Sequence, residues 1–231
     1  MVWTHPRTLS ESSTSDAERA TTLGELHETV AEHIARVAAD LFAHQGFDAT
    51  AVREIVEAAE VTKPTLYYYY GSKMGLAEAL LTRPLETLCS TLEAVVRDEP
   101  DPVRVLVRLI ESHFRFCREA PNRARLAYAV LFGPSDSSLA GMLMPYAERF
   151  DVLWQGAVSR LVAVGSIPDN ADTREGLSAA LRGLVVIHTV DYLYRDRPLA
   201  DDLPDRLVGQ LLQGFSGRVP SGAQASGDSH V

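Results

Sequence analysis

Between residues 25 and 215 apolar side chains recur every three or four positions almost without a break, and no stretch alternates with period two. A chain patterned this way can bury its apolar stripes only by packing helix on helix. The expected fold class is all-α, with glycine and proline cutting the pattern into segments. Val30, Ile34, Val37, Ala38, Leu41 and Phe42 form the stripe of a first helix over 25–45, stopped by Gly46. Thr50 is the expected N-cap of a short second helix over 51–60, and Thr62 that of a third, with Pro64 in its first turn. Gly71 and Ser72 separate the third helix from a fourth over 73–97, which Pro84 should kink or split. Further helices are expected over 102–119, 121–132, from the 133–138 loop to about 164 with a break near Pro145, over 172–194 and over 204–215. The expected organisation is a disordered leader (1–24), a domain of short helices (25–83), a larger helical domain (84–216) and a disordered Gly/Ser-rich tail (217–231).

With 231 residues and 46% hydrophobic content, the chain can bury a substantial core. No apolar run is long enough to span a membrane, and no basic-then-apolar signal pattern opens the sequence. Two cysteines without paired spacing point to a reducing compartment, so a soluble cytoplasmic protein is expected. The formal net charge of −9 argues against general binding of polyanions.

Against this acidic background stands the segment Val61-Thr-Lys-Pro-Thr-Leu-Tyr-Tyr-Tyr-Tyr-Gly-Ser-Lys73. It holds both lysines of the chain and half of its eight tyrosines, while the remaining cations are arginines. No acidic residue occurs from Val61 to Ala77. Hydroxyls, aromatic rings and two cations without acids suit a surface that meets phosphates and base edges. Four consecutive tyrosines cannot share one helix face. Leu66 and Tyr70 are four apart and should pack inward, which leaves Lys63, Pro64, Thr65, Tyr67, Tyr68 and Tyr69 on the other faces. A short helix, a turn and a stubby third helix give the outline of a helix-turn-helix.

These residues resemble the TetR family of bacterial transcription regulators. The likeness runs from Ile34 to about Leu80 and is carried by Ala39-Asp-Leu-Phe42, Gly46-Phe47, Val52-Arg-Glu-Ile55, Val61 to Tyr67 and Tyr69-Tyr-Gly-Ser-Lys73. The resemblance implies a helix-turn-helix DNA-binding domain followed by a helical ligand-binding and dimerisation domain. It implies a homodimer, formed through the last two long helices, on the double-stranded DNA of a palindromic operator. Tyr67, Tyr69 and Lys73 are then phosphate clamps. Lys63, Pro64, Thr65 and Tyr68 become the base-reading edge, with Thr62 at the helix start and Arg53 on the second helix as further contacts. Tyr70 takes the family's buried aromatic position, so its hydroxyl needs a partner. Three residues depart from the pattern: Glu60 stands where glycine is common, Ala51 replaces Ser or Thr, and Gly75 replaces a helix former.

The larger domain carries no subfamily signature. The expected dimer contacts are Leu184, Ile187, Leu207, Leu211 and Leu212, although an intramolecular core suits these residues equally well. A small apolar organic effector, of unknown identity, is the expected ligand, with His113, Cys117, Tyr128, Phe132, Met142, Trp154, His188 and Tyr192 as candidate lining residues. His113 and Cys117 share a helix face, but no further ligand cluster accompanies them, so neither a metal nor another cofactor is expected. Tyr69-x-x-x-Lys73 mimics the pair used by short-chain dehydrogenases, yet no glycine-rich strand-to-helix turn exists and no enzyme is expected. The expected function is a ligand-responsive repressor. The alternative is a helical ligand-binding or interaction dimer whose DNA binding is weak or lost, because residues 25–83 carry five cations against nine acids.

Overall fold

The computed structural model describes residues 28–134 and 137–216, which form nine helices and no strand. The leader and tail expected over 1–24 and 217–231 lie outside the described residues. Helix α1 (Val30–Gln45) begins at the first residue of its apolar stripe rather than at residue 25, because Thr29 and Glu32 cap it reciprocally. The Glu32 N–H donates to Thr29 Oγ1 at 3.2 Å, and the Thr29 N–H donates to the Glu32 carboxylate at 2.8 Å.

Helix α2 (Val52–Ala58) corrects the expected cap. Thr50 is buried and donates its hydroxyl to the Gly46 carbonyl at 2.7 Å, closing the α1–α2 turn instead. Ala51 holds the N-cap position with no side-chain acceptor to offer, and the Glu54 carboxylate takes its N–H at 2.6 Å. Helix α3 (Lys63–Tyr70) is capped by Thr62, which accepts from the Thr65 N–H, and ends at Gly71 with φ +70°.

Helix α4 (Lys73–Asp98) continues through Pro84, so of the expected kink or split the split does not occur. An interior proline costs about 3 kcal/mol. On both sides of it Leu80, Leu81, Leu85 and Leu88 are buried, each worth about 1.5–3 kcal/mol. Packing therefore outweighs the lost hydrogen bond. Helices α5 (Pro102–Glu119), α6 (Pro121–Leu131), α7 (Ala140–Ala163), α8 (Ala171–Arg195) and α9 (Leu203–Ser216) follow, and Pro145 does not break α7.

The helices share two main cores. Ile34, Phe42, Ile55, Leu66 and Leu76 centre the first, which extends to Leu126 of α6 and to Leu139 and Leu143 around the start of α7. The second joins α5, α7, α8 and α9 around Leu106, Ile110, Phe114, Leu161 and Leu181. Two helices supply buried leucines to both: α4, with Leu76 to Leu85 in the first and Leu88 and Leu92 in the second, and α7, with Leu143 in the first and Leu161 in the second. Arginines cap exposed helix ends: Arg160 donates to the carbonyls of Val96 and Glu99, and Arg125 to that of Leu193. Among the described residues no helix is long and apolar enough to cross a membrane.

Candidate DNA-binding face and effector cavity

The tyrosine run of α3 divides as helix geometry requires. Successive residues turn by about 100°, so an inward direction set by Leu66 and Tyr70 places Tyr68 opposite and Tyr67 and Tyr69 on the two flanks. The exposures follow: Tyr68 is 83% exposed, and Tyr67 and Tyr69 are each 45% exposed. Leu66 is fully buried, and the Tyr70 hydroxyl donates to the Ala31 carbonyl at 2.6 Å, tying α3 to α1. Tyr68 and Tyr69 meet edge to face at 5.1 Å. Lys63 and Pro64 are exposed beside Tyr68, and Lys63 has no hydrogen bond or ion pair among the described residues. Thr62 and Thr65 hydroxyls are 2.8 Å apart. Arg53 on α2 is exposed and donates to Glu57 at 2.5 Å.

Lys73 differs from its expected role as a phosphate clamp. Its ammonium donates to the carbonyls of Phe47 at 2.8 Å and Thr50 at 2.9 Å and lies 4.2 Å from the centre of the Phe47 ring. A cation so placed closes the α1–α2 turn against the start of α4 rather than facing outward. The sequence signal missed here was Phe47, whose ring and carbonyl form half of that cradle.

The departures at Glu60 and Gly75 have contrasting outcomes. Glu60 adopts φ +52°, the left-handed conformation that glycine takes without strain. Gly75 is required: a Cβ there would stand 2.2 Å from the Tyr70 carbonyl oxygen. That carbonyl crowds the first turn of α4 because Ser72 N–H bonds to it at 2.8 Å, while Ser72 Oγ accepts from the Gly75 N–H.

In the larger core a cavity of about 360 Å³ lies between α4, α5, α6, α7 and α8. Its walls are mostly apolar, among them Leu85, Leu88, Leu92, Phe116 and Phe150. Of the expected lining residues, His113, Tyr128, Phe132 and Trp154 border it. The other four do not. Cys117 is fully buried in a neighbouring cluster, where burial pushes its thiol up to about 12. Met142 packs on the DNA-binding module, Tyr192 packs behind the cavity, and His188 on α8 is partly exposed outside its lining.

The polar groups of the cavity fall at two places. His113 Nε2 and the Tyr128 hydroxyl are hydrogen-bonded at 3.0 Å, the donor being set by the imidazole tautomer. Burial pushes the His113 pKa down to about 4 and raises that of Tyr128, so both are neutral near pH 7. Arg182 of α8 donates to Asp151 of α7 at the other place, a pair that sequence reasoning missed. Its signal was a charge set inside each apolar run, Phe150-Asp-Val-Leu153 and Leu181-Arg-Gly-Leu184. Among the described residues no group of three or more His, Cys, Asp or Glu side chains is arranged to hold a metal.

Leu207, expected at a dimer contact, is buried in the protomer's own core, and Leu184, Leu211 and Leu212 pack against that core while partly exposed. Ile187 and Tyr194 of α8 stand out, 46% and 56% exposed.

Residues 34–80 match the family model for bacterial regulatory proteins of the tetR family. The repressor KstR2 of Rhodococcus jostii is 27% identical over 140 residues, covering 59% of this chain and 67% of that protein. The activator FasR of Mycolicibacterium smegmatis is 31% identical over 91 residues, 39% of this chain and 42% of that one. The regulator RutR of Escherichia coli is 32% identical over 93 residues, 40% of this chain and 43% of that one. In these alignments the chain spans about two fifths to two thirds of the relatives' length. The fold likeness is more extensive. The ketosteroid transcriptional regulator KstR2 of Mycobacterium tuberculosis superimposes with a TM-score of 0.69 at 18% identity, covering 84% of this chain and 98% of that one. The regulator PfmR of Thermus thermophilus superimposes with a TM-score of 0.61 at 20% identity, covering 78% of this chain and 97% of that one. With its helix-turn-helix sequence matched and its whole fold shared, the chain belongs to the tetR family of bacterial regulatory proteins and is a transcriptional regulator of that family.

Proposed function

We propose that the protein is a homodimeric repressor that binds a palindromic operator in the cytoplasm and leaves it when a small, largely apolar molecule occupies the cavity. The observation that carries this reading is the outward face of α3, where three tyrosines and an unpaired lysine are exposed beside a buried Leu66. In a major groove, Lys63, Pro64, Thr65 and Tyr68 would meet base edges, and Tyr67 and Tyr69 would donate to phosphates on either side. Thr62 orders the start of α3, and Arg53 becomes available to DNA when it exchanges Glu57 for a phosphate. Lys73 acts indirectly by holding the α1–α2 turn. The exposed Ile187 and Tyr194, together with Leu184, Leu211 and Leu212, would form the contact between protomers. Domain limits near 83/84 suit the functional division, with α4 crossing it.

Glu60 favours a second reading, a ligand-binding dimer with weakened DNA binding, because it places an exposed carboxylate in the turn before α3. One experiment separates the two. Purified protein is used to select fragments from its own genome at physiological salt, and the enriched sequences are examined for palindromy with half-sites about 34–36 Å apart. Enrichment of such palindromes supports the regulator, whereas recovery of unenriched DNA refutes operator binding and leaves the second reading.

A further inference from the structure

Arginine carries almost all positive charge in this protein, and among the described residues nearly every arginine is committed. Arg36, Arg53, Arg97 and Arg104 bond to carboxylates, as do Arg108, Arg149, Arg174, Arg182, Arg195, Arg197 and Arg206. Arg118, Arg125 and Arg160 donate to backbone carbonyls. Arg83, Arg115 and Arg123 alone have no hydrogen bond or ion pair among the described residues. All three line one cleft of about 560 Å³ between α4, α5 and α6.

Their isolation has a cost. Arg123 Nε is buried without a partner, its guanidinium lies 4.8 Å from the centre of the Phe116 ring, and burial lowers its pKa. A desolvated cationic donor without an acceptor is unfavourable, and three like charges around one cleft repel each other. Glu119 is the one acid lining the cleft, and it makes no ion pair with them. The Thr87 and Thr91 hydroxyls already donate to carbonyls of their own helix, so the donors left for an anion here are those of the arginines. An anion would relieve the cluster. The cleft adjoins the apolar cavity, with the side chains of Leu88 and Phe116 forming part of the wall of each.

We propose that Arg83, Arg115 and Arg123 form an anion subsite, and that the effector is an amphipathic anion whose carboxylate or phosphate head sits on these arginines while its apolar body passes Phe116 into the cavity. This inference rests on the reading of the cavity as the effector site. Arg83 lies on α4, Arg115 on α5 and Arg123 on α6, so a bound head group draws α4 toward the α5–α6 layer. Arg83 is also next to Pro84, where α4 leaves the DNA-binding module. The head group would therefore act on the helix that bears on α3.

Calorimetric titration of the full-length protein with dodecanoate, dodecyl phosphate and dodecanol tests this. At least one anion should bind about tenfold or more tightly than the alcohol, as expected for charge-assisted hydrogen bonds. Tighter dodecanoate assigns a carboxylate head, and tighter dodecyl phosphate a phosphate head. In the Arg115→Gln/Arg123→Gln protein, anion affinity should fall to within about twofold of the alcohol, with alcohol affinity unchanged. The melting temperature of that variant should hold or rise, because neither guanidinium serves a bond in the free protein. Equal affinity for anions and alcohol in the unaltered protein overturns the anion subsite alone. Failure of all three to bind overturns the cavity reading and this inference with it. A melting temperature several degrees lower, with the anion preference intact, assigns the arginines to structure and also refutes the proposal.

Discussion

Replacing Lys73 with methionine separates a lysine that holds a turn from one that holds DNA. The substitution keeps most of the aliphatic stem and removes the ammonium. Lost with it are donations to Phe47 and Thr50 at 2.8 and 2.9 Å and the contact with the Phe47 ring at 4.2 Å. A charged donor contributes about 1.5–3 kcal/mol per hydrogen bond. Lys73 is only partly buried and water can replace some of this, so about 1 kcal/mol per bond is the working value. An exposed cation–π contact adds about 0.5–1 kcal/mol, giving roughly 2–3 kcal/mol in total. For a chain of this size that is a fall of roughly 4–12 °C in melting temperature.

A phosphate clamp would behave differently. Each phosphate contact contributes about 0.9 to the slope of log affinity against log salt, so loss of one clamp per protomer would lower the dimer's slope by about 1.8. The expectation for Lys73→Met is a lower melting temperature with an unchanged slope, measured well below the transition by fluorescence anisotropy on a selected operator. Hydrogen exchange should also quicken at the amides around 50–55, where α2 starts. A slope reduced by nearly two with an unchanged melting temperature would refute the turn-holding assignment and restore the clamp.

Three other perturbations test neighbouring parts of the structure. Gly75→Ala should destabilise the protein by about 1–3 kcal/mol in urea, despite alanine's higher helix propensity, because its Cβ would meet the Tyr70 carbonyl at 2.2 Å; a stabilised variant would contradict that crowding. Glu60→Gly should stabilise by about 0.5–1 kcal/mol, as relief of the left-handed strain at φ +52° is partly offset by a freer unfolded chain, and should tighten operator binding most at low salt. His113 is held neutral by burial with a folded-state pKa of about 4 against an ordinary value of 6.5, so its contribution is complete above about pH 6.5 and is lost as pH falls toward 4. That loss amounts to about 3 kcal/mol, and His113→Leu should flatten this part of the stability profile measured by urea titration at each pH; an equally steep profile in the variant would exclude His113 as its cause.

The helical fold and the exposed face of α3 were legible in the sequence because both depend on local periodicity. Leu66 and Tyr70 set the inward direction, and the positions of Tyr67, Tyr68 and Tyr69 follow from the helical turn alone. The carbonyl contacts of Lys73 were not legible because the acceptors of its ammonium, in the Phe47–Thr50 turn, lie more than twenty residues away in sequence. Thr50 fits the N-cap pattern, yet the nearer Gly46 carbonyl takes its hydroxyl. The cavity was only partly legible. His113 and Tyr128 stand out by residue type, whereas Asp151 and Arg182 gain meaning only when α7 and α8 meet. Cys117 and Met142 have the right chemistry, but their helices turn them toward other cores.

The unbroken α4 determines how a ligand could be felt at the DNA. At 26 residues it is about 39 Å long, comparable with the spacing of operator half-sites. Its amino-terminal end carries Lys73 against the α1–α2 turn, its middle carries Arg83 in the cleft, and its second half supplies Leu85, Leu88 and Leu92 to the cavity wall. Arg149 of α7 donates to both Glu86 and Glu93 at 2.7 Å, pinning this second half to the layer across the cavity. A flexible joint at Pro84 would absorb a displacement before it reached α3. A packed, continuous helix passes it on, because cores on both sides resist bending. Proline within such a helix removes one internal hydrogen bond, and the buried Leu80, Leu81, Leu85 and Leu88 around it hold the segment in place. A ligand that prefers a tilted α4 shifts the spacing of the two recognition helices only by as much as its affinity differs between the two arrangements. Arg83 and Arg149 then act on the same helix in opposite senses: an anion on Arg83 draws α4 toward α5 and α6, while Arg149 holds it toward α7.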